Sequence, residues 1–230
     1  MLEAILFDVD GTLSETEEVH RRAFNETFEE QGLDWRWSSH LYGKLLKVTG
    51  GKERIKHFMG EYQPKVILTY EAVAELHKKK TARYVELIGS GQATLRPGVA
   101  DLIHEAQREG LKLAIATTTS TPNVEALLKG TLGPNAMDMF DAVAAGDMVP
   151  TKKPAPDVYI KALKDLKVAP HRCIAIEDSE NGLKSALAAK VPTLVTLSDY
   201  TREQDFTGAL DVVDDLAGET VETLKQRFAA

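Results

Sequence analysis

Short apolar runs of strand length alternate with amphipathic segments of helix length, and this alternation constrains the fold more than any other feature of the chain. Glu3–Phe7, Leu111–Thr117, Asp141–Ala145, Arg172–Glu177 and Thr193–Leu197 read as strands. Gly98–Glu109, a segment opening at Thr121-Pro122, Asp157–Leu166 and Ser179–Lys190 read as helices, the third because Val158, Ala162, Leu163 and Leu166 share one face. Gly110 suits the left-handed residue after a helix, and a hydroxyl followed by proline suits a helix start. Strands alternating with helices in this way predict an α/β fold, a doubly wound parallel sheet with a Rossmann-like core. One stretch breaks the pattern. From Ser14 to Ile88 there is almost no strand-like run, only helical spacing at Val19, Ala23, Phe24, Thr27 and Phe28, at Ile55–Met59 and across Tyr70–Ile88. About 75 residues is too long for a crossover connection. The expectation is a helical cap domain, residues 14–88, inserted into a core catalytic domain made of 1–13 and 89–230.

Composition narrows the partners. With 28 Lys and Arg against 35 Asp and Glu the net charge is −7, and His77-Lys-Lys-Lys80 is the one basic block. That balance argues against nucleic acid and leaves room for a basic pocket that binds a small anion. No apolar stretch reaches the ~18 residues a membrane helix needs. The N-terminal apolar run is broken by Glu3 and Asp8, unlike a signal peptide. Cys173 is the single cysteine, so no disulfide framework exists, as expected in a reducing cytoplasm. A soluble cytoplasmic monomer acting on a small molecule is the expectation.

In an open parallel sheet, ligands bind beyond the carboxyl ends of the strands. Those ends deliver Asp8 and Asp10 from the first strand, Thr117-Thr-Thr-Ser120 from the second, Lys152-Lys153-Pro154 after the third and Glu177-Asp178-Ser179 from the fourth. Carboxylates converging on one edge repel unless a cation sits among them. Hard oxygen ligands with no histidine or cysteine in the set favour Mg2+ over zinc. Mg2+ completes its octahedron with water and substrate phosphate, and Lys153 and Thr117 then serve as donors to phosphate oxygens. Other motifs fail. An EF-hand loop starting at Asp8 would place Leu13 at the glycine position. Gly50-Gly51-Lys52-Glu53 is no Walker loop, since Leu46 stands at its first glycine and Glu53 at its hydroxyl residue. Trp35, Trp37 and Cys173 read as packing groups.

Taken in order, Asp8-Val-Asp10-Gly-Thr, the strand-ending Thr117, Lys153-Pro154 and Glu177-Asp178 resemble the four motifs of the haloacid-dehalogenase-like hydrolases, and the helical insert resembles that of their helical-cap subgroup. Glu15–Phe24, Thr49–Ile55, Ala116–Ser120 and Lys153–Asp157 are similar to the CbbY-like branch, relatives of beta-phosphoglucomutase and phosphoglycolate phosphatase. The resemblance implies a Mg2+-dependent phosphatase acting on a small sugar phosphate, xylulose 1,5-bisphosphate being the substrate associated with that branch. A phosphosugar mutase is the alternative outcome, and a non-catalytic phosphate-binding module the reading from another class. Asp8 is implied as nucleophile and Asp10 as general acid and then base. The metal is implied to be held by Asp8, the backbone carbonyl of Asp10, Asp178, and Glu177 directly or through water. Thr117 and Lys153 are implied to hold the phosphoryl oxygens. Substrate contacts are expected from Glu17, His20, Gly50, Gly51, Arg54, Lys80 and Arg83 in the cap and from Thr118, Thr119 and Ser120 in the core, with Arg54 and Lys80 meeting a second anionic group. One departure concerns Lys190, where relatives have glycine after the helix.

Overall fold

The computed structural model describes residues 1–229. In chain order it contains β1 (Ala4–Phe7), α1 (Glu17–Glu30), α2 (Ser39–Leu45), α3 (Gly51–Tyr62), α4 (Tyr70–Gly89), α5 (Val99–Arg108), β2 (Lys112–Ala116), α6 (Thr121–Leu132), β3 (Ala142–Ala144), α7 (Asp157–Leu166), β4 (Cys173–Glu177), α8 (Glu180–Ala188), β5 (Thr193–Thr196), β6 (Asp211–Val213) and α9 (Val221–Ala229). The six strands form one parallel sheet in the order β3-β2-β1-β4-β5-β6. Among the described residues, no helix is long and apolar enough to cross a membrane.

β1 lies at the centre, which is why its four residues Ala-Ile-Leu-Phe are all apolar and fully buried: a central parallel strand is covered on both faces. The chain builds β2 and β3 to one side of β1 and then returns to place β4 on the other. That reversal opens a crevice at the carboxyl ends of β1, β2 and β4. Register brings the ends level, because Phe7 pairs with Ile115 on one side and Ile176 on the other. Asp8, Ala116 and Glu177 therefore follow at the same height. The Asp8 amide donates to Ile176 O at 3.0 Å, and Thr117 N donates to Ala144 O at 3.0 Å.

Helices α1–α4 fill the interval between β1 and α5. The buried positions of α1 are Val19, His20, Ala23, Phe24, Thr27 and Phe28, a helical stripe as the spacing predicts. A separate apolar cluster lies among these helices. Trp37, Phe24, Phe28 and Phe58 are its aromatic centre, with ring centroids 4.7–5.8 Å apart. The tryptophans are packing groups, as expected. Val19 and Ala23 of α1, with Tyr84, Leu87 and Ile88 of α4, belong instead to the main core, so these two helices bridge both clusters.

Element ends differ from expectation by one or two residues. The helix expected to reach Lys190 stops at Ala188, and Lys190 takes φ 64°. A side chain there costs about 1 kcal/mol relative to glycine. Helices α2 and α9 and the edge strand β6 carry no reading at the sequence level.

Candidate active site

Between the carboxyl edge of the sheet and the cap helices lies a cavity of about 610 Å³. Its floor is the end of β1, β2 and β4. Asp8 is 6% exposed and Asp178 4%, while Glu177 is fully buried behind them. Ligand oxygens of these three acids lie within 4.8 Å of one another. Lys153 bridges two of them, its Nζ 2.6 Å from Asp8 Oδ1 and 2.6 Å from Glu177 Oε1. One lysine does not neutralise three acids. Burial, only partly offset by the Lys153 charge and reinforced by Glu177, holds Asp8 up at about 7. Burial and the charges of Asp8 and Glu177 push Asp178 well above the carboxylate range. Lys153 responds in the opposite sense: against burial, Asp8 and Glu177 hold its ammonium above the usual lysine value. An oxygen-only set of buried acids short of positive charge fits a hard divalent cation such as Mg2+.

The Asp10 carboxylate points elsewhere. Thr16 Oγ1 donates to Asp10 Oδ1 at 2.5 Å, and His20 Nε2 lies 3.0 Å from the same oxygen. Lys80 Nζ stands 2.5 Å from His20 Nδ1, and Tyr84 stacks on the imidazole at 4.0 Å. An ammonium only donates, so Nδ1 accepts and Nε2–H donates to Asp10. Burial would raise Asp10, but the facing His20 and the hydrogen bonds from His20 and Thr16 bring it down to about 2. Burial lowers Lys80 to about 7 despite the Asp10 charge.

Fourteen of the residues named from sequence are brought to the cavity: Asp8, Asp10, Glu17, His20, Gly50, Gly51, Arg54, Lys80, Thr117, Thr118, Thr119, Ser120, Lys153 and Asp178. Arg83 is a correction. Its guanidinium pairs with Glu26 at 2.5 Å and Glu86 at 2.9 Å, which draw it toward α1 and along α4, and it takes no part in the cavity lining. Arg54 Nη1 donates to Tyr42 OH at 2.9 Å, Tyr42 OH donates to Glu17 Oε2 at 2.7 Å, and Arg54 Nε has no partner. Gly50 opens α3 at φ 97°, and a β-carbon on Gly51 would overlap the His77 imidazole.

Sequence reasoning missed His77, which lines the cavity one helical turn before Lys80. Burial and then Lys80, Lys52, His20 and Lys152 drive it down to about 3, so it faces the cavity as a neutral ring. Asn123 was also missed; its Oδ1 is buried at the cavity wall without a partner. The i, i+3 spacing to Lys80 was the only available signal for the first, and none existed for the second.

The haloacid dehalogenase-like hydrolase family model matches residues 2–190. "Protein CbbY" of Cereibacter sphaeroides is 52% identical over 221 residues, covering 94% of each chain. The crystal structure of CbbY from Rhodobacter sphaeroides in complex with phosphate superposes with TM-score 0.94 at 50% identity, covering 98% of this chain and 100% of that one. A mutant of that protein in complex with xylulose-(1,5)bisphosphate gives 0.91 at 52% identity, covering 94% and 96%.

Proposed function

The chain belongs to the haloacid dehalogenase-like hydrolases, and on that premise we propose that it hydrolyses xylulose 1,5-bisphosphate with Asp8 as nucleophile. It is a Mg2+-dependent phosphatase of small sugar phosphates. The observation that carries the residue roles is the buried Asp8–Lys153–Glu177–Asp178 cluster, with Asp10 held apart from it by Thr16 and His20.

Asp8, the backbone carbonyl of Asp10, Glu177 and Asp178 would hold the metal, which would neutralise the acids and polarise the phosphoryl group. Lys153 orients Asp8 by a charge-assisted bond and favours the ionised form that attacks. An Asp8 oxygen forms a bond to phosphorus as the bond from phosphorus to the sugar oxygen breaks, and the departing oxygen takes its proton from Asp10. Asp10 is strongly acidic as it stands, and a phosphate dianion arriving beside it raises its proton affinity. In the second step Asp10 takes a proton from water, whose oxygen attacks phosphorus, and the bond to Asp8 breaks. Thr117, Thr118 and Thr119 line the cavity, and Thr117 and Lys153 are assigned the phosphoryl oxygens.

The cap supplies selectivity, and we take residues 14–88 as that unit. Arg54, with its free Nε, is assigned the second phosphate. Lys80 is assigned to His20, and through it to Asp10. Glu17, His77, Gly50, Gly51 and Ser120 complete the sugar pocket. A single buried cysteine suits a reducing cytoplasm, where we place the enzyme. Arg54→Ala tests the assignment. It should lower kcat/KM for the bisphosphate by about tenfold to a hundredfold, from a charge-assisted bond of roughly 1.5–3 kcal/mol, and leave para-nitrophenyl phosphate unaffected. Equal losses on both substrates would remove Arg54 from the second phosphate.

A further inference from the structure

Glu177 and Asp178 each have one carboxylate oxygen engaged by a hydroxyl from outside the four motif segments. Glu177 Oε1 accepts from Tyr159 OH at 2.5 Å as well as from Lys153. Tyr159 belongs to α7 and is fully buried among apolar side chains, so its hydroxyl is the polar end of an otherwise enclosed ring. Glu177 Oε2 has only a long contact from the Asp178 amide, at 3.3 Å.

Asp178 is held in a parallel way from the opposite side. Its Oδ2 accepts from Ser198 Oγ at 2.7 Å. Ser198 lies just beyond β5 and is 1% exposed. With its proton committed to the carboxylate, Ser198 Oγ accepts from Thr201 Oγ1, 2.8 Å away. Thr201 Oγ1 in turn faces the Ser198 amide at 3.4 Å. The donors run in one direction and end at Asp178. Thr201 Oγ1 also lies 3.5 Å from Oδ2, and Gly11 packs against that oxygen, since a β-carbon there would overlap it.

A carboxylate with one oxygen fixed has the direction of the other fixed as well. We propose that Tyr159 and Ser198 are positioning residues of the metal site, turning Glu177 Oε2 and Asp178 Oδ1 toward the cation. The proposal rests on the reading that these two acids hold Mg2+. Partners of this kind are commonly worth ten- to a hundredfold in metal affinity or activity. Neither hydroxyl is proposed to touch substrate.

Mg2+ titration of metal-free enzyme by calorimetry, with the Mg2+-induced rise in Tm as a second readout, tests the proposal on Tyr159→Phe and Ser198→Ala. Asp178→Asn serves as the reference for a lost ligand. The expected result is a Kd for Mg2+ raised about ten- to a hundredfold in each variant, with KM for substrate unchanged at saturating Mg2+. A Kd within twofold of wild type in both variants, with only the metal-free Tm lowered, would reduce both residues to packing and overturn the proposal. If Asp178→Asn binds Mg2+ as tightly as wild type, the ligand assignment fails and this inference fails with it.

Discussion

Alanine at Gly182 sets two effects of opposite sign against each other. Gly182 lies within α8, where alanine ordinarily stabilises a helix by about 0.5–1 kcal/mol. Here, however, the new β-carbon would overlap Glu177 Oε2. Glu177 has no room to retreat, being fully buried with Oε1 held by Lys153 at 2.6 Å and Tyr159 at 2.5 Å. Relieving the overlap forfeits one or both of those bonds, each worth about 1.5–3 kcal/mol because the acceptor is charged. The steric loss exceeds the helix gain. Gly182→Ala should therefore destabilise the metal-free protein by about 0.5–5.5 kcal/mol, according to whether one bond or both are lost, lowering Tm by roughly 1–20 °C. A site displaced by about 1 Å should also lose on the order of a hundredfold in kcat. Gly60→Ala is the matched comparison, since Gly60 lies in α3 with no atom within 4 Å of where its methyl would sit, and it should gain about 0.5–1 kcal/mol. Urea and thermal denaturation of both variants, with phosphate release on each, decide the matter. A Gly182→Ala enzyme as stable and as active as Gly60→Ala would refute the claim that Glu177 is pinned.

Asp8→Asn should retain the fold, by circular dichroism and Tm, and lose all measurable turnover, because an amide is a poor nucleophile and a poor metal ligand. Ca2+ as sole metal should inhibit, its larger and looser coordination misaligning Asp8 for in-line attack; full activity with Ca2+ in a steady-state assay would contradict this. Lys80 has its folded value lowered to about 7 from an ordinary 10.5 by burial, so between those values the unfolded chain binds the extra proton and stability rises with pH. Lys80→Met should flatten that rise in urea titrations taken from pH 6 to pH 10, and an unchanged slope would count against a buried, easily deprotonated amine.

Much of the site was legible because parallel sheets gather chemistry at one edge. Asp8, Thr117 and Glu177 each end a recognisable apolar run, and the register of β1 with β2 and β4 makes them meet. The cap helices were legible from their spacing, as the Val19, Ala23, Phe24, Thr27 and Phe28 stripe of α1 illustrates. Contacts between elements distant in sequence were not. Tyr159 reads as one more apolar position on α7, and nothing local ties it to Glu177, 18 residues away. Ser198 looks like an ordinary loop serine until β5 sets it against Asp178. β6 went unread because its three residues are largely exposed and carry no alternation. Arg83 illustrates the reverse error. It lies three residues from Lys80 in a basic stretch of α4, yet its guanidinium is spent on Glu26 and Glu86 outside the cavity.

The central claim is that Asp8 carries the phosphoryl group during turnover. Rapid acid quench of enzyme mixed with Mg2+ and xylulose 1,5-bisphosphate, followed by peptic digestion and mass spectrometry, tests it directly. The peptide containing Asp8 should gain the mass of one phosphoryl group within the first turnover and lose it on treatment with hydroxylamine, with no such gain in Asp8→Asn. Phosphate released at the wild-type rate with that peptide unmodified at every quench time, or the added mass on a peptide lacking Asp8, would contradict it.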